Sequence, residues 1–439
     1  MKPKIVFSNE DLVKICKDSF ANPTGDFNPN EFNSPNKSNV KTIYFVDHIS
    51  SAHQKVIDLF NERHKSSIKV ETINLSFDKF STNERKELLA RYLRSKNSRI
   101  DIFAVDQIWV PRFVRWGVPL NNLIDSTEIN KIIPNALTTC YYNDSLFAVP
   151  LYIDISLMFY RNDLLKKLPN YSQIVDELKN SITWEKFIEL HQKLKNGKNP
   201  FYVFQADDYE GLLCQFTELM ANQNNPIVDK NNKLLINTAE GKKALQLLVD
   251  LVNKYGVSPK EVTYLKENES FRYFAKNDGL FLRGWPSMYD DENEFLSDEE
   301  RSQLKMAPLP HLKDTKPASV YGGWNLMVSK FSEKIPEVIK FAKFLLSEES
   351  QKIMYEEGGY LPINKKLYSD SEFIQEHPEL KFFDELYKTG VHRPFLEDYT
   401  NVSDILSYYI NSAIKGDISV DDALKSAEIK IKEKSILVK

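Results

Sequence analysis

The alternation of apolar and polar positions divides this 439-residue chain into a series of strands and helices. VKTIYFVDH, opening at Val40, has the apolar run of a buried strand. Ser50 and Ser51 then offer N-caps to a helix ending near His64, whose apolar stripe is Val56, Ile57 and Phe60. SIKVETINL predicts a second strand and NERKELLARYLRSK a second amphipathic helix. IDIFAVD, apolar on both faces as in a parallel sheet, predicts a third strand, with a short helix from Trp109 to Trp116 behind it. This βαβαβ order makes the opening lobe α/β.

SLFAVPLYIDISLMFYRNDLL stays strand-like across Pro150, where the chain is expected to leave the first lobe. Beyond it the pattern turns helical. WEKFIELHQKLKNG is a helix opened by Thr183 and stopped by Gly197, and TAEGKKALQLLVDLVNKYG aligns Ala244, Leu245, Leu248, Leu251 and Val252 on one face. FYVF and GLFLRG alternate with these as strands, and PEVIKFAKFLLS, EESQKIMYEEG, VSDILSYYINSAIKG and SVDDALKSAEIKIKEK predict four late helices. Residues 21–39, with three prolines among Asn and Ser, have the composition of an exposed linker, so the main fold should start near Val40.

Composition narrows the function classes. A single core stops growing near 250–300 residues, so this length implies two lobes. Fifty-eight basic against 62 acidic residues leave a net charge of -4, without the basic footprint of a nucleic-acid binder or a polybasic membrane-surface protein. Cys16, Cys140 and Cys214 are far apart and in no CxxC pair, which argues against a disulfide scaffold or zinc ribbon. No stretch of 18 apolar residues suggests a spanning helix. The opening MKPKIVFSNEDLVKIC lacks the apolar core and cleavage site of a secretory signal, and Lys14 stands before Cys16 where a lipid-anchored cysteine expects a small residue.

Catalytic signatures are missing by spacing: no GxGxxG, P-loop, GxSxG or HExxH occurs, and no two of the seven histidines fall at i,i+4. No metal site or cofactor is expected. The informative feature is where aromatics sit. Asp106 with Trp109, Tyr152 with Asp154, Tyr209-Glu210-Gly211, Arg283-Gly284-Trp285 and Gly322-Gly323-Trp324 place rings beside polar groups at strand ends and turns. A sugar has apolar C–H faces and a rim of hydroxyls, and is held by flat aromatic faces together with carboxylate, amide or guanidinium hydrogen bonds. Each pairing also has a plainer reading. Tyr152 and Asp154 share a strand face that an edge hydrogen bond would equally use. Trp324 could pack between lobes, Glu210 could favour a helix N-terminus, and Arg393-Pro394 could be a surface pair. His48 reads equally as ligand wall or structural residue, while Trp109 and Trp116 read as core.

With those residues in view, the chain resembles the family 1 extracellular solute-binding proteins of ABC importers, in particular the trehalose/maltose-binding branch. The resemblance runs from about Val40 to the C-terminal helix. It is carried by the ordered series IDIFAVDQIW, AVPLYIDISLMFYRNDLLKKL, SITWEKFIEL, FQADDYEGLLCQFTELMAN, FLRGWPSMYD, MAPLPHL, YGGWNLMVSK, FLLSEESQKIMYEEGGYLPINKKLY and RPFLEDYTNVSDILSYYINSAIKGDISVDDAL. It implies an α/β fold of two lobes with a hinge and an interlobe cleft: residues 1–39 as extension or tether, 40–150 plus about 310–355 as one lobe, 151–309 plus about 356–439 as the other. Its ligand contacts imply Asp106, Tyr152, Asp154, Tyr209, Glu210, Trp285, Gly323, Trp324 and Arg393 as binding residues, with His48 or Asp47 near the first strand end. In these roles Trp285, Trp324 and Tyr152 would stack, Asp106, Asp154 and Glu210 would accept hydroxyls, and Arg393 would be a fork donor. The resemblance further implies a monomer outside the cytoplasm, periplasmic or tethered to the cell surface as a lipoprotein, that delivers a di- or oligosaccharide to permease subunits. A sugar-sensing ectodomain and a glycoside hydrolase are the alternatives.

Overall fold

The computed structural model describes residues 40–77, 79–96, 99–194, 199–288 and 295–437. The linker-like stretch 1–39, with Cys16, and the Gly197 expected to stop a helix lie outside the described residues.

The opening βαβαβ unit forms as the pattern predicts. Strands β1 (Lys41–Asp47), β2 (Ile68–Asn74) and β3 (Ile102–Asp106) are parallel, with β1 between the other two. Helix α1 (Ser51–Arg63) is capped by Ser50, whose hydroxyl accepts from the His53 N–H, and it buries Val56, Ile57 and Phe60 against the sheet. Helix α2 (Thr82–Arg94) opens with a capping box between Ser81 and Glu84. The segment after β3 is three short turns of helix spanning Gln107–Trp109, Val110–Phe113 and Val114–Trp116, and it buries Trp109 while leaving Trp116 half-buried.

A small hairpin, β4 (Tyr141–Tyr142) with β5 (Ser145–Leu146), precedes the long strand β6 (Val149–Ile155). Here one expectation is corrected. Pro150 lies inside β6 and does not mark the departure from the first sheet; the chain leaves at Ser156, and β7 (Leu157–Arg161) opens the second sheet. Pro150 is tolerated because β6 borders only β11 among the strands and the pairing register shifts beside it.

The middle of the chain supplies α3 (Tyr171–Lys179), α4 (Trp184–Lys193), β8 (Tyr202–Val203), α5 (Glu210–Asn222), α6 (Ala239–Asn253), α7 (Glu267–Lys276), β9 (Phe281–Gly284) and β10 (Leu304–Ala307). The chain then returns to the first sheet as β11 (Ser319–Val328). After it come α8 (Ile335–Leu345), α9 (Glu348–Gly358), β12 (Gly390–Val391), α10 (Tyr399–Lys415) and α11 (Val420–Leu437). The first sheet has the order β12-β11-β3-β1-β2 with β6 also on β11, and the second has β10-β7-β9-β8. Ala244, Leu245, Leu248, Leu251 and Val252 of α6 are all buried, as their spacing requires. Among the described residues no helix is long and apolar enough to cross a membrane.

The division near residue 356 is also corrected. Leu361 bridges to Ile153, Asn364 bridges to Ile132, and β12 pairs with β11, so the chain stays with the first sheet as far as Val391. Leu361, Ile363 and Leu367 are buried there, which holds this segment to the first lobe by its apolar side chains. Only α10 and α11 return to the second lobe, packing on α5 and α6. The chain thus crosses between lobes three times, at Ser156, between β10 and β11, and between β12 and α10. The first two crossings are laced together: the Ser156 N–H donates to the Val320 carbonyl at 3.0 Å, and the Val320 N–H donates to the Ser156 hydroxyl at 2.8 Å.

One glycine fixes how β11 passes β6. Gly323 has φ +118, and a Cβ there would meet the Tyr152 carbonyl oxygen at 2.5 Å. Both the dihedral and the contact exclude a side chain. Gly323→Ala is expected to lower unfolding free energy by about 1–3 kcal/mol in urea titrations.

Candidate functional site

Strand pairing brings together three residues that are far apart in the chain. Trp324 on β11 lies opposite Asp106 on β3 and, on its other side, opposite Tyr152 on β6. They form one rung across adjacent strands, and two residues further on, on the same face, Asp154 lies opposite Gly322. A Cβ on Gly322 would meet Trp285 Cζ3 at 2.9 Å and the Asp154 Cβ at 3.1 Å. The missing side chain is therefore what lets Trp285, from the second lobe, lie against this rung.

The rung borders a cleft between the lobes with a cavity of about 290 Å³, near the lower end of small-molecule sites. Asp106, Tyr152, Asp154, Tyr209, Glu210, Trp285, Gly323, Trp324 and Arg393 all line it. His48 does not line it. It lies behind Phe77, with ring centroids 4.9 Å apart, and its Nδ1 accepts from the Phe77 N–H at 3.4 Å.

The floor of the cleft is an ion-paired bridge from one lobe to the other. Arg393, in the third crossing, donates from Nη2 to Asp106 Oδ1 at 2.8 Å and from Nη1 to Glu210 Oε1 at 2.7 Å. Glu210 sits in the first turn of α5 and also accepts from the hydroxyls of Tyr399, at 2.7 Å, and Ser403. Asp106 ends β3 and caps the following turn through the Ile108 N–H. Burial raises the Asp106 carboxyl above its ordinary range while Arg393 pulls it back. The two carboxylates hold the Arg393 guanidinium protonated against its own burial. This corrects the reading of Arg393-Pro394 as a surface pair: Arg393 is 4% exposed, with Nη1 and Nη2 engaged by protein carboxylates while its buried Nε has no partner among the described residues.

A second buried cation stands behind the aromatic wall. Arg85 of α2 places its guanidinium 4.0 Å from the Phe77 ring and 4.1 Å from the Trp324 ring, and pairs with Asp47 at 2.8 Å. Trp109 and Phe77 meet Trp324 edge-on. Trp324 and Tyr152 are each only 8% exposed, so they are wall elements rather than open platforms, whereas Trp285 is half-buried. Trp285 is itself backed by Arg283, whose guanidinium lies 5.0 Å from its ring and is held by Glu218 and Gln205.

The sequence reading missed two wall segments. One is the turn before α2 and the first turn of that helix, with Phe77, Lys79, Phe80, Ser81, Thr82 and Glu84; the other is the start of α7, with Lys266, Glu267, Asn268 and Glu269. The first had a usable signal, because the connection leaving the carboxyl end of a parallel strand is where open α/β sheets place ligands. The second carries no such signal, because the charged residues that open ENESFRYFAK are equally those of a solvated helix start. Burial raises the Glu267 carboxyl, which lies beside the Tyr209 hydroxyl. No group of three or more His, Cys, Asp or Glu side chains among the described residues is gathered as a metal ion would need.

Two α/β lobes joined by three crossings, with an aromatic and polar cleft between them, define a binding protein that holds its ligand between lobes. The chain belongs to the bacterial extracellular solute-binding proteins, whose family model matches residues 45–352. It is 26% identical over 351 residues to a probable ABC transporter-binding protein of Deinococcus radiodurans, covering 79% of this chain and 83% of that one. It is 25% identical over 331 residues to the arabinooligosaccharide-binding protein of Bacillus subtilis, covering 71% of each chain. Its structure matches maltose-bound T. maritima MalE3 with a TM-score of 0.79 and 28% identity, covering 90% of this chain and 99% of that chain.

Two consequences are measurable. Arg393→Met leaves Asp106 and Glu210 buried without their shared cation, and is expected to cost about 3–5 kcal/mol in urea unfolding. The second concerns pH. Burial pushes Asp47 up to about 6 against the pull of Arg85, and burial, aided by His48 and Arg85, pushes His53 down to about 3. Below pH 6.5 His53 gains a proton on unfolding, which removes stability as pH falls; between about pH 6 and 4 Asp47 loses its proton on unfolding, which adds stability as pH falls. The two slopes oppose. Asp47→Asn removes the second, so stability of the variant should fall more steeply than wild type over that window, by about 1.4 kcal/mol per pH unit, in urea titrations at several pH values.

Proposed function

We propose that this protein captures a di- or oligosaccharide in the interlobe cleft outside the cytoplasm and delivers it to an ABC importer. The observation that carries this reading is the rung of Tyr152 and Trp324 facing Trp285 across the cleft, with Asp154 beside them. Aromatic faces with an adjacent carboxylate match the amphipathic surface of a sugar ring, whose C–H faces and hydroxyl rim need both. The relatives add support, since one is named for arabinooligosaccharides and one structure holds maltose.

Within this reading Trp285 is the principal stacking face, because it is the most accessible of the three rings, and Asp154 is the principal hydroxyl acceptor. Tyr152, Trp324 and Gly323 shape the first-lobe wall, and Tyr209 shapes the second. Asp106, Glu210 and Arg393 act together, holding the floor in place and presenting only their outer edges to the ligand. A ligand touching both walls favours the conformation in which the walls are close, by as much as it binds that conformation better.

The test is a titration of maltose, maltotriose, trehalose and arabino-, xylo- and cello-oligosaccharides, followed by tryptophan fluorescence and calorimetry. At least one is expected to bind, with Trp285→Ala weakening it by about 1–3 kcal/mol, the worth of one ring stacked in a largely desolvated site. Silence across the panel, or a Trp285→Ala protein indistinguishable from wild type, would defeat the reading.

A further inference from the structure

Helix α10 belongs to the second lobe, yet its first two turns are also tied to the first. Every fourth residue from Tyr399 faces the second lobe: Tyr399 and Ser403 donate to Glu210, Ser407 donates to Asp208 at 2.7 Å, and Asn411 donates to the Ala206 carbonyl at 2.6 Å. The neighbouring stripe reaches the other way. Thr400 accepts from Arg112 Nη1 at 2.7 Å, and Asp404 accepts from Asn83 Nδ2 at 3.1 Å. Asn83 lies in α2, and its amide oxygen is 3.5 Å from Lys86 Nζ, so it meets both members of the Lys86–Asp404 ion pair, which stand 3.9 Å apart.

This contact differs from the Arg393 bridge at the floor in its exposure. Arg393, Asp106 and Glu210 are all buried, whereas the Asp404 side chain is 48% exposed beside a Lys86 that is almost wholly covered. Among the described residues Asp404 is the one carboxylate within 4 Å of the Lys86 ammonium. A pair with one partner in water is weak and is screened by salt. Separating α2 from α10 takes the counter-charge from Lys86 and lets water replace it, so this pair is breakable where the buried bridge is not. Thr82 and Glu84 of α2 line the cleft, but Asn83, Lys86, Thr400 and Asp404 do not.

We propose that Asn83, Lys86 and Asp404 form an interlobe clasp that sets how far the cleft is closed before ligand arrives, so that Asp404 governs affinity without touching the sugar. This adds regulation to the same cleft, and its effect on affinity rests on the carbohydrate reading above. Where the binding-competent conformation is only a fraction of the population, apparent affinity falls by that fraction. The clasp raises the fraction equally for every ligand that needs the lobes close. Its loss therefore weakens all of them by one factor, unlike loss of a stacking ring, whose cost depends on the sugar it meets.

The experiment compares wild type with Asp404→Ala and Asn83→Ala, each as the full-length chain. Small-angle X-ray scattering measures how open the sugar-free proteins are, and calorimetry measures binding of the sugars in the panel above, both at low and high salt. The sugars are uncharged, so salt reaches their affinity through the protein alone. Sugar-free Asp404→Ala is expected to have a larger radius of gyration than wild type, and high salt is expected to move wild type toward the variant. Every sugar that binds is expected to bind Asp404→Ala more weakly by one common factor, about three- to tenfold. Asn83→Ala, at a half-buried position, is expected to move the same way by less, which separates loss of the clasp from damage to the fold. An Asp404→Ala protein that keeps either the radius or the affinities of wild type overturns the inference, as does a wild-type radius indifferent to salt. So does a weakening that differs from sugar to sugar, since Asp404 would then touch the ligand. If the scattering changes as expected and no sugar of the panel binds, the clasp stands and the carbohydrate reading falls.

Discussion

The cleft depends on one buried cation shared by two carboxylates from different lobes. Arg393 reaches Asp106 at the end of a first-sheet strand and Glu210 at the start of a second-lobe helix. Burying three charges is costly, and such a cluster survives only when its remaining lone pairs are also satisfied. Ile108 donates its N–H to Asp106, and Tyr399 and Ser403 donate their hydroxyls to Glu210. A cluster with so many donors has few alternative arrangements, so its contribution is geometric: it fixes the position of a strand end in one lobe against a helix start in the other. Glu210 also gains from the first-turn position itself, where the helix favours negative charge.

The rest of the site follows from that placement. With Asp106 held, Trp324 and Tyr152 are placed by strand pairing alone, since they are its neighbours along one rung. The two glycines of β11 then have separate tasks. Gly323 lets β11 press against the Tyr152 carbonyl, and Gly322 leaves room for Trp285 from the opposite lobe. Behind the rung, Arg85 lies against both Phe77 and Trp324 and is anchored by Asp47, so the aromatic wall is fixed from the rear as well as along the sheet. Arg283 with Glu218 does the same for Trp285 in the second lobe. Each tryptophan that faces the cleft therefore has a buried arginine behind it, itself paired to a carboxylate.

The chain path explains why a cleft and not a packed interface separates the sheets. Three crossings tie the lobes along one edge, and the first two are bonded to each other through Ser156 and Val320. The long return of the chain to the first sheet as β11, followed by residues up to Val391, leaves only α10 and α11 to complete the second lobe. Asp106, Glu210 and Arg393 lie where these paths converge.

The βαβαβ opening, the amphipathic helices and nine of the cleft residues were legible in the sequence. Periodicity marks an apolar face wherever one exists, and aromatic residues beside glycine or acid stand out at strand ends and turns. Nine of the ten candidate binding residues line the cleft, and the one that does not, His48, ends one residue after its strand in a position whose side chain packs behind Phe77. Periodicity could not show that the chain stays with the first sheet beyond Pro150 as far as Ile155, because a strand-like run across a proline reads the same whichever sheet it joins. Nor could it show that residues 356–391 stay with the first lobe. It also could not show that Arg393 is spent on Asp106 and Glu210, since their sequence separations of 287 and 183 residues carry no local signal. Local pattern determined which segments would form and which side chains could meet a sugar; only the tertiary structure decided which charges would neutralise one another, because a buried ion pair is chosen by proximity in space and the desolvation that makes it necessary exists only after the lobes have packed.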